Sequence, residues 1–232
     1  MSKLVPHEEN LTARYAERAA RMVPSEIRSL FAVASRPEIV SLAGGMPNLS
    51  ALPMEMMADV VKKLILDNGQ EALQYGSGQG HPRLREQICE MMALEGIRAK
   101  SDDVVITTGS QAALDLITRI FIDPGDVILV EAPSYVGALG VFAQYQSQVV
   151  HVAIDDKGLI PAALTEAITK VRAAGGKIKF LYCIPNFQNP SGVTMPASRR
   201  TEILDICRES EIFVVEDNPY GLLGFDEAVP NA

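Results

Sequence analysis

Ile212-Phe213-Val214-Val215-Glu216-Asp217-Asn218-Pro219-Tyr220 decides how this chain is read. Four apolar residues in a row are too few for a helix and mark the end of a buried strand. An acid at the mouth of such a strand is costly unless it finds a partner. Asp217 therefore calls for a cation or a hydrogen-bond donor.

The same pattern recurs upstream. Apolar runs predict strands over 104–108, 127–130, 149–154, 178–184 and 212–215. Helices are expected between them, over 111–122, 137–145, 162–173 and 196–209. Strands alternating with helices imply parallel pairing with helices on both faces. Runs without polar alternation suit strands buried on both sides. The fold class is therefore α/β, a three-layer α-β-α arrangement with a mostly parallel sheet. Before residue 104 the chain predicts helices over 11–22, 25–34, 54–68 (stopped by Gly69) and 81–95, and a short strand leading into Gly44-Gly45-Met46-Pro47. The segment Tyr75-Gly76-Ser77-Gly78-Gln79-Gly80 is Gly-rich, but no Lys-Ser/Thr follows and no buried strand precedes it. It is a mobile loop presenting Tyr75, not a nucleotide motif.

Composition bounds the function. The 232 residues are 47% hydrophobic and 22% charged, which suits a packed core rather than disorder. A net charge of −8 without any Lys/Arg run disfavours nucleic acid and anionic membranes as partners. Cys89, Cys183 and Cys207 lack metal or CxxC spacing and read as reduced thiols; no metal site is expected. The N-terminus has no apolar signal core, and no apolar run approaches spanning length, so a cytoplasmic protein is expected.

Ligands of parallel sheets bind beyond the carboxyl ends of the strands. Those ends read Thr108-Gly109-Ser110-Gln111, Glu131-Ala132-Pro133-Ser134-Tyr135, Pro185-Asn186-Phe187-Gln188-Asn189-Pro190-Ser191-Gly192 and Glu216 to Tyr220. At 109–111 a helix starts where a strand stops, and its free amides suit a phosphate, with Ser110 adding a hydroxyl. Ser110 is equally an ordinary helix cap. Tyr135 can stack on a flat ring or simply pack. Asn189 can donate to a phenolate-like oxygen or make a turn. Asp217 can hold a pyridine nitrogen in its protonated form, with Tyr220 on the ring's oxygen substituent, or it can bond local amides. Each signal is weak alone; their joint occurrence at strand ends is strong.

These segments, with Ser41-Leu42-Ala43-Gly44-Gly45-Met46-Pro47, resemble the fold-type I pyridoxal-phosphate-dependent aminotransferases of class I/II. The wording is similar to the branch that holds 2-aminoadipate and kynurenine aminotransferases. The resemblance implies a truncated large domain: residues 1–50 as N-terminal arm and part of the small domain, 51–232 as an incomplete cofactor-binding domain, and no C-terminal small domain. It implies pyridoxal 5'-phosphate as cofactor, and an L-amino acid and a 2-oxo acid as substrates. Gly109, Ser110 and Gln111 would hold the phosphate, Tyr135 would stack on the ring, Asn189 and Tyr220 would bond its oxygen, and Asp217 would pair with its nitrogen. Gly45, Asn189 and Arg28 would contact substrate. Tyr75 would reach the neighbouring subunit's phosphate, which implies a homodimer. Other reactions on the same scaffold, a C–S lyase or a synthase, stay open. So does the ligand-sensing half of an aminotransferase-like transcription regulator, although no basic surplus or helix-turn-helix pattern supports it.

The family's Schiff-base lysine should follow the Asp217 strand, yet the last lysine is Lys179. The arginine that clamps the substrate carboxylate is also absent after Asp217. The expectation is an N-terminal portion with no catalytic residue of its own, a raw sheet edge, and a second fragment as a possible supplier of the rest. Purified 232-residue chain supplied with pyridoxal phosphate, an amino acid and a 2-oxo acid is expected to show no steady turnover in a coupled absorbance assay; sustained product formation would contradict this.

Overall fold

The computed structural model describes residues 11–22, 36, 38–40 and 49–225. The chain divides into two compact units, one of Pro24–Thr107 and one of Met1–Val23 with Thr108–Ala232.

The second of these carries the sheet. Five strands, β1 (Val127–Ala132), β2 (Gln148–Asp155), β3 (Gly158–Leu159), β4 (Ile178–Cys183) and β5 (Phe213–Glu216), lie in the order β3-β2-β1-β4-β5. β2, β1, β4 and β5 pair in parallel, and β3 folds back antiparallel on β2. The chain leaves β1 towards β2 on one side and returns to β4 on the other. The mouths of β1 and β4 therefore lie at the topological switch point, where parallel sheets place ligands.

Four helices cover this sheet. Leu114 and Ile122 of α3 (Ser110–Phe121) and its flank pack with Ala138, Val141 and Phe142 of α4 (Val136–Gln144) against Ile128, Val130, Phe180 and Tyr182. Leu164 and Ile168 of α5 (Pro161–Ala173) and Ile203 and Cys207 of α6 (Ala197–Glu209) pack on the other face against Val127, Leu129 and Leu181. Successive strand residues point to opposite faces, and here both faces are apolar because both are covered.

Differences from the sequence expectation have local causes. The segment expected as one helix over 11–22 is two 3₁₀ turns, Leu11–Arg14 and Glu17–Arg21, separated at Ala16 by an extended backbone (φ −62°, ψ 149°). In the Pro24–Thr107 unit, α1 runs Met54–Ala72, through Gly69; the break signal shows instead as a kink at Asn68 (φ −135°, ψ 24°). α2 spans Pro82–Ala93, and its Arg85 is buried, with Nη1 donating to Ser101 O at 2.7 Å. The run 104–108 forms no strand: among the described residues it joins no ladder, and Ile106 N–H donates to Gln79 O at 2.8 Å while Val104 N–H donates to Ser101 O at 3.2 Å. The helix expected over 25–34 and the Gly44-Gly45 loop lie outside the described residues. No described helix is long and apolar enough to cross a membrane.

Among the described residues no strand pairs with the outer side of β5, as expected of a raw edge. There Phe213 is 67% exposed, with its ring 5.8 Å from that of Phe121. Leu181, wholly buried at the sheet centre, is the sharper test of the core. Leu181→Ala is expected to lower stability by about 3 kcal/mol, through lost burial plus a cavity. Urea unfolding checks this, and a loss under about 1 kcal/mol would mean the sheet is not closed over on both faces.

Candidate active site at the strand mouths

The register of β4 against β5 brings the first pair together. Tyr182 lies beside Val215 and Cys183 beside Glu216. Asp217, two residues beyond Val215, therefore emerges on the face of Tyr182. Asp217 N–H donates to Cys183 O at 2.9 Å, which extends the ladder to the strand mouth. Tyr182 Oη donates to Asp217 Oδ2 at 2.7 Å. The Tyr182 ring is fully buried and meets Phe142 edge-on, at 5.4 Å and 77°. Burial first, and the Asp217 carboxylate second, push the phenol far above its ordinary pKa. It stays a donor throughout, and the half-buried Asp217 is its acceptor.

The next residues are fixed to α6. Asn186 Nδ2 donates to Asn218 Oδ1 at 2.9 Å, and Arg200 Nη2 donates to Asn186 Oδ1 at 2.5 Å. Arg200, itself buried, also donates from Nε to Met195 O at 2.9 Å. Tyr220 is half-buried in the turn that follows, and its carbonyl accepts Leu223 N–H at 2.9 Å.

A second group gathers around Gly137. The Tyr135 ring lies over it so closely that a Cβ there would sit 2.4 Å from Tyr135 Cζ. Gln111 Nε2 donates to Gly137 O at 3.1 Å. One glycine thus joins the opening of α3 to the ring at the mouth of β1. Gly109 turns the chain into α3 with φ +81°, a conformation that glycine adopts without strain. Ser110 is exposed at the first helical position, where amides lack intrahelical acceptors. The Gln111 side chain is therefore a tie to α4, and only its backbone amide is left for a phosphate.

Asn189 belongs to a loop shaped by Gln188. Gln188 N–H donates to Val193 O at 2.8 Å, and Ser191 N–H donates to Gln188 Oε1 at 2.9 Å. Gln188 Nε2 donates to Pro133 O at 2.8 Å and to Glu131 Oε2 at 3.4 Å. Glu131 Oε2 also accepts Ile184 N–H at 2.9 Å. The mouths of β1 and β4 are clasped by this buried pair, which sets Asn189 relative to the Tyr135 turn. Peptide bonds 132–133 and 189–190, one in each loop, are cis.

Glu131 is 1% exposed, and Oε1 has no partner among the described residues. Burial raises its carboxyl to about 7, against the opposing pull of the Ile184 amide and the Gln188 side chain.

Gly45 and Arg28 lie outside the described residues. Tyr75 lies in the Pro24–Thr107 unit with its side chain wholly exposed. Sequence reading in turn missed Tyr182, and it assigned no task to Glu131 or Gln188. The available signal was a phenol and a carboxyl inside otherwise apolar strand sequences, each of which needs a polar partner.

The residues at the rim fit a flat, phosphorylated, cationic ring. The site offers an anionic oxygen held by one donor, an aromatic face, and a helix opening with an exposed hydroxyl. An α/β domain with a mostly parallel sheet and a polar rim at its strand mouths is the class this geometry defines. The chain belongs to the aminotransferase class I and II family, whose pattern matches residues 37–232. It is 40% identical over 212 residues to aromatic-amino-acid aminotransferase 1 of Thermococcus litoralis, covering 91% of this chain and 51% of the relative. It resembles the crystal structure of Pyrococcus horikoshii kynurenine aminotransferase, in complex with PMP and with KYN and KYA as substrates and products, at 38% identity and a TM-score of 0.87, covering 96% of this chain and 55% of that one. It also resembles the alpha-aminoadipate aminotransferase of Thermus thermophilus, complexed with N-(5'-phosphopyridoxyl)-L-leucine, at 35% identity and a TM-score of 0.82, covering 94% and 52%. The chain spans about half the length of these relatives.

The raised carboxyl of Glu131 has a defined sign. The folded state holds the proton more tightly than the unfolded one, whose ordinary value is 4.5. Its stabilising share is full below about pH 4.5 and is lost as pH rises through about 7. The loss is on the order of 3 kcal/mol. Glu131→Gln is expected to flatten the fall of unfolding free energy across that window, measured by urea titration at several pH values. A variant with the slope of the unaltered chain would contradict the assignment.

Proposed function

We propose that this chain supplies part of the cofactor-binding domain of a pyridoxal-phosphate-dependent aminotransferase, which moves an amino group from an L-amino acid to a 2-oxo acid. One observation carries the reading: a carboxylate oriented by a buried phenol stands at the mouth of β5, on a rim of parallel strand ends that also carries an aromatic ring and a helix opening. The two solved relatives, one with PMP and one with a phosphopyridoxyl amino acid, support the cofactor class.

Each residue has a task in this reading. The amides at 109–111 and the Ser110 hydroxyl bind phosphate at the positive end of α3. Tyr135 covers one ring face. Asn189 and Tyr220 donate to the ring oxygen, and Asp217 keeps the ring nitrogen protonated. The bound cofactor supplies an electron sink for the substrate carbon that loses its proton. Gly45 and Arg28 approach the substrate carboxylate and side chain, and Tyr75 completes the phosphate site of a neighbouring subunit in a homodimer. The covalent attachment and the proton transfer of the whole protein need a lysine, and no lysine follows Asp217 in these 232 residues. On this reading these 232 residues by themselves do not transaminate, and the whole protein acts in the cytoplasm.

Titration with pyridoxal phosphate, followed by cofactor absorbance and tyrosine quenching, tests the pocket. The unaltered chain is expected to saturate, and Asp217→Ala to bind at least about tenfold more weakly, the usual cost of losing a bond to a charged group. Equal affinity in the two proteins would remove Asp217 from the site.

A further inference from the structure

The bond between Tyr182 and Asp217 has a function beyond tolerating a carboxylate. A free carboxylate rotates and offers two equivalent oxygens to water and ligand. Here Oδ2 is engaged by Tyr182 at 2.7 Å. The phenol itself does not swing, because its ring is buried in the α3/α4 core edge-on to Phe142, which in turn packs on Phe180. The strand register adds a second constraint, since Asp217 N–H is fastened to Cys183 O at 2.9 Å. Backbone and one oxygen are thus fixed, and Oδ1 is left as an acceptor of set direction.

We propose that Tyr182 is a positioning residue: by holding Oδ2 it presents Asp217 Oδ1 as a single fixed acceptor, so that the pocket selects rings with an in-plane N–H over otherwise identical rings without one. The inference rests on the cofactor reading above and deepens it, because it assigns the discrimination to a residue that does not touch the ligand. Charge alone would attract any cation near Asp217. A fixed oxygen adds direction, as preorganised acceptors do elsewhere.

The test compares two probes on two proteins. The probes are pyridoxal phosphate and its 1-deaza analogue, in which the ring nitrogen is replaced by C–H. The proteins are the unaltered chain and Tyr182→Phe. Phenylalanine fills the same space against Phe142 and leaves no buried donor unpaired, so the variant is expected to fold; its thermal unfolding is recorded alongside. Tyr182→Phe is expected to weaken pyridoxal phosphate by about tenfold and to leave the affinity for the deaza analogue unchanged. Equal weakening of both probes would make Tyr182 a merely structural support and overturn the proposal. An unchanged or raised affinity for pyridoxal phosphate would overturn it as well. Failure of the unaltered chain to bind pyridoxal phosphate would overturn the cofactor reading and this inference together, whereas binding without the probe-dependent loss overturns only the inference.

Discussion

A half-buried carboxylate at a strand mouth must share its charge with something. In this chain the Tyr182 phenol takes that part at 2.7 Å, and the rest of the rim is arranged around the pair. The bond exists only because β4 and β5 run in parallel with Tyr182 beside Val215. A slip of one residue would turn Asp217 to the α5/α6 face and leave the phenol orphaned in the core. The packing of Phe142 on Tyr182 then ties the position of the acid to the helix layer that also carries Gly137, and hence Gln111 and the Tyr135 ring. Core packing, register and site geometry are one constraint seen at three scales.

The opposite face of the sheet contributes a second polar clasp. Glu131 and Gln188 sit where the mouths of β1 and β4 meet, and between them they engage the Ile184 amide, the Pro133 carbonyl and the Ser191 amide. Burying an acid there costs energy, as its raised carboxyl shows. That cost fixes two loops that would otherwise be free turns. The half-exposed acid on one face is held by a phenol, and the buried acid on the other holds a proton near neutrality. Environment alone separates these two roles.

Much of this was legible in the residues. Parallel strands covered on both sides must be continuous apolar runs, so 127–130, 149–154, 178–184 and 212–215 announced themselves. The helix opening at Ser110 and the turn at Asn189 were legible because Gly, Ser, Asn and Pro have restricted local uses. The run 104–108 shows the limit: it has strand composition, but a strand also needs a neighbour, and composition does not supply one. Gly69 shows another: the helix breaks at Asn68, beside the expected stop, yet resumes as far as Ala72, which no local signal announces. The Tyr182–Asp217 bond spans 35 residues and depends on register, which no local pattern encodes. The clasp at Glu131 depends on a loop that closes 57 residues later, and it was invisible for the same reason.

The central claim is that Asp217, set by Tyr182, keeps a bound pyridine nitrogen protonated. Nuclear magnetic resonance of pyridoxal phosphate labelled with ¹⁵N in the ring, bound to this chain and followed as pH is raised, addresses that nitrogen directly. The account predicts a protonated-nitrogen shift that persists to pH values where the free cofactor has lost the proton. A bound nitrogen that titrates as it does in free solution would contradict it.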